Sequence, residues 1–154
     1  MESQLPALNE HDFQIISHLM ADISGIRMAA HKRALAAGRL MKRLRALQLD
    51  NFSDYVALLQ NPQQQEERRI AVDLLTTNET FFFREKPHFD LLQKLLQQHP
   101  RRSLRIWSAA CSSGEEVYSL AMTLAEGLES GTHWEIVGSD LCRQALDKAR
   151  QAVY

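Results

Sequence analysis

Several things are scarce in these 154 residues, and each scarcity excludes something. There are two cysteines, Cys111 and Cys142, 31 positions apart. That spacing offers neither a disulfide framework nor a zinc motif. No two of the six histidines stand at a ligand spacing such as His-x-x-x-His, so no metal is expected. No apolar run approaches the roughly 18 residues of a membrane helix. The first residues, Met1-Glu2-Ser3-Gln4, lack a basic start and an apolar core, so no secretory signal is expected and the location is read as cytoplasmic. Apolar residues at 45% and charged residues at 24% fit a globular protein rather than a disordered one.

The net charge of −1 conceals an uneven distribution. Residues 1–26 carry four acids and no Lys or Arg, whereas residues 27–49 carry seven Lys and Arg and no acid. That basic stretch is either a solvated helix face or a surface for a negative partner. No aromatic residue interleaves its charges, so stacking on single-stranded nucleic acid has little support.

The first half has helical periodicity. Phe13, Ile16, Leu19, Met20 and Ile23 form one apolar stripe, with Asn9 as N-cap and Gly25 as stop. A second helix is predicted from about Ala29 to Leu47. Leu40, Leu44 and Leu47 lie on one of its faces and Lys32, Arg39 and Arg43 on another. A third carries Phe52, Tyr55, Leu58 and Leu59. Asn61-Pro62 then reads as the cap and first position of a fourth, ending near Thr76.

The second half changes period. Leu104–Ser108 and Trp134–Val137 read as short strands, with helices predicted from Pro87 to about Gln98, from Glu115 to Leu128 and after Asp140. Helix, strand, helix, strand, helix is the opening of a βαβ unit and of a parallel sheet. The expected domains are 1–77, all helical, and 78–154, the start of an α/β doubly wound domain, α+β overall.

Four places could carry chemistry. The loop Ala109-Ala110-Cys111-Ser112-Ser113-Gly114-Glu115-Glu116 joins a strand to a helix, where open α/β sheets bind ligands. It could equally be a tight turn with Ser113 and Glu116 as a capping box. Asp140 ends the second strand, where a carboxylate can take both ribose hydroxyls of a nucleotide-like ligand. It lies 26 residues past Gly114, against a usual offset of about 20. The plainer role is an N-cap for a helix starting at Leu141, and the two roles are compatible. In Thr76-Thr-Asn-Glu-Thr-Phe-Phe-Phe-Arg84, the Arg84 fork could hold a ligand carboxylate. It could also bond a backbone carbonyl at a domain junction. The basic helix is the fourth.

Together these segments resemble the CheR family of chemotaxis receptor methyltransferases. Thr76–Glu85 is similar to its Thr-Asn-x-Thr-x-Phe-Phe-Arg signature. Trp107–Ser119 is similar to its cofactor loop, Gly138-Ser139-Asp140 to its acidic strand end, and Ala149-Arg150-x-Ala152-x-Tyr154 to the helix end that follows. His31-Lys32-Arg33 and Arg43–Leu47 resemble its helical layout. The resemblance implies an S-adenosylmethionine-dependent protein-glutamate O-methyltransferase acting on chemoreceptors, with S-adenosylhomocysteine as product. It implies Asn78, Thr80 and Arg84 at the methionine end, Arg84 also beside the reacting centre, Glu115 at the amino group and Asp140 at the ribose. It further implies that Lys32, Arg39, Lys42, Arg43 and Arg45 dock acidic receptor helices. Val117 stands where the family has proline, and Leu141-Cys142 where it has Ile-Asp. The family continues well beyond this length, so the expectation is a truncated chain that binds cofactor weakly or not at all, is inactive alone and is prone to self-association through open strand edges. The competing expectation is a non-catalytic helical module docking an acidic protein through helix 29–48. A nucleic-acid-binding regulator is the third.

Overall fold

The computed structural model describes residues 6–154. Met1-Glu2-Ser3-Gln4, on which the location was read, lies outside the described residues. The chain divides into two compact units between Thr77 and Asn78.

The first unit is all helix: α1 (Glu10–Ser24), α2 (Arg33–Ala46) behind a 3-10 turn at Ala30–Lys32, α3 (Phe52–Gln60) and α4 (Gln65–Leu75). Local chemistry sets the ends of α1 and the start of α3. Asn9 Oδ1 accepts from Asp12 N and Asn51 Oδ1 from Asp54 N, and each asparagine NH2 returns a bond to that aspartate's carboxylate. Gly25 ends α1 in the left-handed conformation (φ 73°). The apolar stripes meet in one core of Phe13, Ile16, Met20, Leu40, Leu44, Phe52, Tyr55, Leu59, Ala71 and Val72. Ile23, expected on the same stripe, is exposed.

Two expectations change here. The predicted helix from Ala29 begins as a 3-10 turn and becomes α-helical only at Arg33. Asn61-Pro62 does not open α4: Asn61 closes a turn by accepting from Gln63 N and Gln64 N, and the helix starts at Gln65. Arg68 reaches back to the carbonyls of Leu59 and Gln60 and satisfies the end of α3, which is why the chain turns there first.

The second unit runs α5 (Lys86–Gln98), β1 (Leu104–Ala109), α6 (Glu115–Gly127), β2 (Trp134–Ser139) and α7 (Arg143–Gln151). The strands pair in parallel, with Leu104 opposite Trp134 and Ala109 opposite Ser139. One face of the sheet, bearing Ser108 and Gly138, lies against α6: Ser108 Oγ donates to Glu116, and Val117 closes on Gly138. Helix α5 packs on α6 where Gly127 leaves room for Leu96, whose Cδ1 would sit 2.6 Å from a Cβ there. The other face, Arg105, Trp107, Glu135 and Val137, is bare. Trp107 is 70% exposed, and its indole N–H donates to Ser139 Oγ. No helix among the described residues is long and apolar enough to cross a membrane.

Candidate functional site

The site grows from the turn after β1. Ala110 (φ 59°), Ser112 (φ 48°) and Gly114 (φ 100°) all take the left-handed conformation, which folds the chain back sharply onto the start of α6. Two backbone bonds hold the turn: Cys111 N–H to Ser139 O, and Gly114 N–H to Cys111 O. Gly114 is sterically required. A Cβ there would stand 2.7 Å from the Tyr154 hydroxyl and 2.9 Å from Ala149 Cβ. Tyr154 in turn donates to Ser113 O, and its ring meets the rings of Phe82 and Tyr118 edge-on. Burial pushes the Tyr154 phenol above its usual pKa, so it stays a donor.

The expected capping box does not form. The N-cap of α6 is Gly114, which has no side chain. Ser113 Oγ donates to Glu115 Oε2, while Glu116 Oε1 is taken by Ser108 on the neighbouring strand. Glu115 stands in the first turn of α6, where the helix dipole favours an anion, and no hydrogen bond to its Oε1 is made among the described residues.

Asp140 directly follows β2. Its Oδ2 accepts from Ser112 N at 2.8 Å and its Oδ1 from Cys142 N at 2.8 Å. It is therefore not the N-cap of α7, which begins at Arg143 after Cys142 without a side-chain cap. The carboxylate instead ties the two loops at the carboxyl ends of the parallel strands, the place where open α/β sheets bind ligands. Each of its oxygens keeps one free lone pair. Cys111 is buried, and burial raises its thiol pKa, with Asp140 adding to the shift. The thiol stays protonated and is a poor nucleophile.

The segment 78–84 lies against this loop. Ser112 Oγ donates to Asn78 O at 2.8 Å, and Ser119 Oγ accepts from Phe83 N at 2.9 Å. Asn78, Ser112, Asp140 and Glu115 thus belong to one local assembly. Arg84 bonds within its own segment: Nη1 donates to Glu79 O at 2.7 Å, and the guanidinium lies over the Phe81 ring. Among the described residues no bond links Arg84 to Glu115 or Asp140, and none is made by the Thr80 side chain. Among them no cluster of three or more His, Cys, Asp or Glu could hold a metal.

Residues 78–154 match the family model "CheR methyltransferase, SAM binding domain", and residues 11–76 match "CheR methyltransferase, all-alpha domain". The chain belongs to the CheR methyltransferase family. It is 42% identical to the chemotaxis protein methyltransferase of Salmonella typhimurium over 99% of this chain and 53% of that protein. It is 43% identical to the Escherichia coli protein of the same name, covering 96% of this chain and 52% of the relative. With the chemotaxis protein methyltransferase 2 of Pseudomonas aeruginosa it shares 45% identity over 93% of this chain and 51% of the relative. The chain spans about half the length of these relatives.

The residues present fit the cofactor that the CheR domain's description names. Two free lone pairs on Asp140 match the two hydroxyls of a ribose, and the Glu115 oxygen that Ser113 does not take suits an ammonium. The side chains that bind segment 78–84 to the loop, Ser112 and Ser119, had no assigned part in the sequence reading. The available signal was Ser119 with Thr123, two polar residues at i, i+4 on the buried stripe of α6.

The basic residues divide. Arg43 donates from Nε to Glu67 Oε1 at 2.9 Å and from Nη2 to Oε2, and Tyr55 donates to the same carboxylate at 2.8 Å. Glu67 is 7% exposed, so this is an internal bridge. The Glu67 hydrogen bond raises the Arg43 pKa, and burial raises that of Tyr55. Arg39 spends its guanidinium on the carbonyls of Leu75 and Thr76 and the hydroxyl of Thr77. Two of the five expected docking cations therefore hold the unit together. Lys32, Lys42 and Arg45 make no ion pair among the described residues.

Proposed function

We propose that this chain carries the cofactor-binding part of a methyltransferase that converts glutamate side chains of chemoreceptors to methyl esters in the cytoplasm. The observation that carries this reading is Asp140. It is anchored by two backbone N–H groups at the carboxyl ends of the strands, with one lone pair free on each oxygen. When bound, S-adenosylmethionine supplies an electrophilic methyl group, which an ionised glutamate takes without a strong base. The chain's own task is then binding and alignment. Asp140 accepts from the ribose hydroxyls, and Glu115 faces the amino group at the start of α6. Asn78 and Thr80 line the methionine end. Arg84 has four guanidinium N–H groups beyond the one it gives to Glu79, which suits a ligand carboxylate.

Titration calorimetry with S-adenosylhomocysteine tests this. Asp140→Ala removes two hydrogen bonds to a charged acceptor, about 2 kcal/mol each, and should cost about a thousandfold in affinity. Arg84→Ala should cost less, because its fork is exposed. Unchanged affinity in Asp140→Ala would end this reading. With two strands behind the site among the described residues, turnover by this chain alone is expected to be absent, and a methyl-transfer assay with normal turnover would refute that. The bare face around Trp107 and Val137 should also promote self-association, seen as concentration-dependent sedimentation.

A second reading, a helical module docking an acidic protein, has its own support. A groove of about 360 Å³ lies between Ile26, Leu35 and Leu75, rimmed by Arg27 and Lys32. Arg27 and Lys32 make no ion pair among the described residues, and neither do Lys42 and Arg45 on α2. Both readings hold together if this surface meets the receptor. Steep salt-dependent binding to DNA would instead favour a nucleic-acid regulator.

A further inference from the structure

The stretch that bears Asn78, Thr80 and Arg84 is only lightly buried. Phe81, Phe82 and Phe83 are exposed at 57%, 37% and 43%. Phe83 (φ 56°) and Glu85 (φ 59°) take a left-handed backbone that bulky side chains disfavour. Such a conformation persists only where its surroundings over-determine it. Burial contributes little here, so particular bonds must.

Two of those bonds come from buried serines on the other wall of the site. Ser119, 0% exposed, donates its single proton to Glu115 O at 2.6 Å, so its oxygen is free to accept from Phe83 N. Ser112, 6% exposed, donates its hydroxyl to Asn78 O while its backbone N–H goes to Asp140. One serine grips each end of the segment: Ser112 also orients the Asp140 carboxylate through its backbone N–H, and Ser119 is itself fixed on the backbone carbonyl of Glu115.

We propose that Ser112 and Ser119 are positioning residues that hold segment 78–84 in register with Glu115 and Asp140, so that the methionine end and the ribose end of the site form one rigid whole. The role rests on the cofactor reading above. It assigns neither serine a contact with the ligand. It predicts selectivity: losing either hydroxyl should harm the methionine end and spare the nucleoside end, because Ser112→Ala keeps the N–H that orients Asp140.

The full chain, Ser112→Ala and Ser119→Ala are titrated separately with S-adenosylhomocysteine and with adenosine, and amide hydrogen exchange is followed across residues 78–84. Each variant should lose about tenfold in affinity for S-adenosylhomocysteine, the worth of one hydrogen bond, and stay within about twofold for adenosine. In Ser119→Ala the Phe83 amide should exchange about tenfold faster, while amides of α1 do not change. Equal loss of both ligands would mean general damage to the loop and would overturn the proposal, as would full retention of both. A wild-type chain that binds neither ligand overturns the cofactor reading and the positioning role with it. Unchanged Phe83 exchange in Ser119→Ala overturns the tether itself, whatever the ligands do.

Discussion

The two units use polar groups in opposite ways. In the first, charged side chains are turned inward and spent: Arg43, Glu67 and Tyr55 bridge α2, α3 and α4, and Asp12 accepts from Asn9 and Ser53. In the second, the acids stand at the ends of strands and at a helix start, with lone pairs left over, and one sheet face is bare. A closed core can absorb its own charges because each meets a complete set of partners. A site for a ligand must leave some of that set unfilled.

The contrast can be broken from either side. The largest effect is expected in the first unit. Glu67→Ala strands a half-buried guanidinium and a buried phenol, and should cost about 3–5 kcal/mol. Both tryptophans, Trp107 and Trp134, lie in the second unit. Their fluorescence should therefore melt as in the wild type, while far-ultraviolet circular dichroism shows early loss of helix. Coincident early transitions in both signals would contradict this independence.

Gly114→Ala attacks the second unit. The added Cβ meets Tyr154 and Ala149 at a positive φ, and about 2–4 kcal/mol of destabilisation is expected. The tryptophan signal should now melt first, with S-adenosylhomocysteine binding lost.

Tyr55→Phe removes one hydrogen bond to a charged acceptor and should cost about 2 kcal/mol near neutral pH. Its phenol pKa is raised in the folded state, chiefly by burial. The stability linked to that shift is present below the unfolded value of about 10 and is lost as pH rises above it. Wild-type stability should therefore fall above about pH 10, by denaturant titration, and Tyr55→Phe should fall less steeply. The smallest effect is that of Trp107→Thr. The side chain is largely in water, so stability should stay within about 0.5 kcal/mol. Sedimentation would show whether association through the bare face weakens.

Much of the fold was legible because its signals are local. The Asn9 cap, the Gly25 stop and the strands at 104 and 134 each follow from a few adjacent residues. What misled were residues that fit two local roles. Asn61-Pro62 looks like a helix start, but Arg68 captures the carbonyls before it. Ser113 and Glu116 have capping-box spacing, but Ser108 on β1 takes Glu116 first. Asp140 could cap a helix, yet the Ser112 and Cys142 N–H groups claim it.

By itself, the sequence determined the order of elements, the buried stripes and the segments that mark the CheR family, because periodicity and motif are properties of neighbouring residues. The tertiary structure alone decided which charges are spent and which stay available. Arg39 and Arg43 face inward and Lys42 and Arg45 do not, although all four share one helix. Ser112 and Ser119 grip a strand-free segment more than thirty positions away. Hydrogen bonds act over about 3 Å of space regardless of distance along the chain, so only the folded backbone can choose their partners.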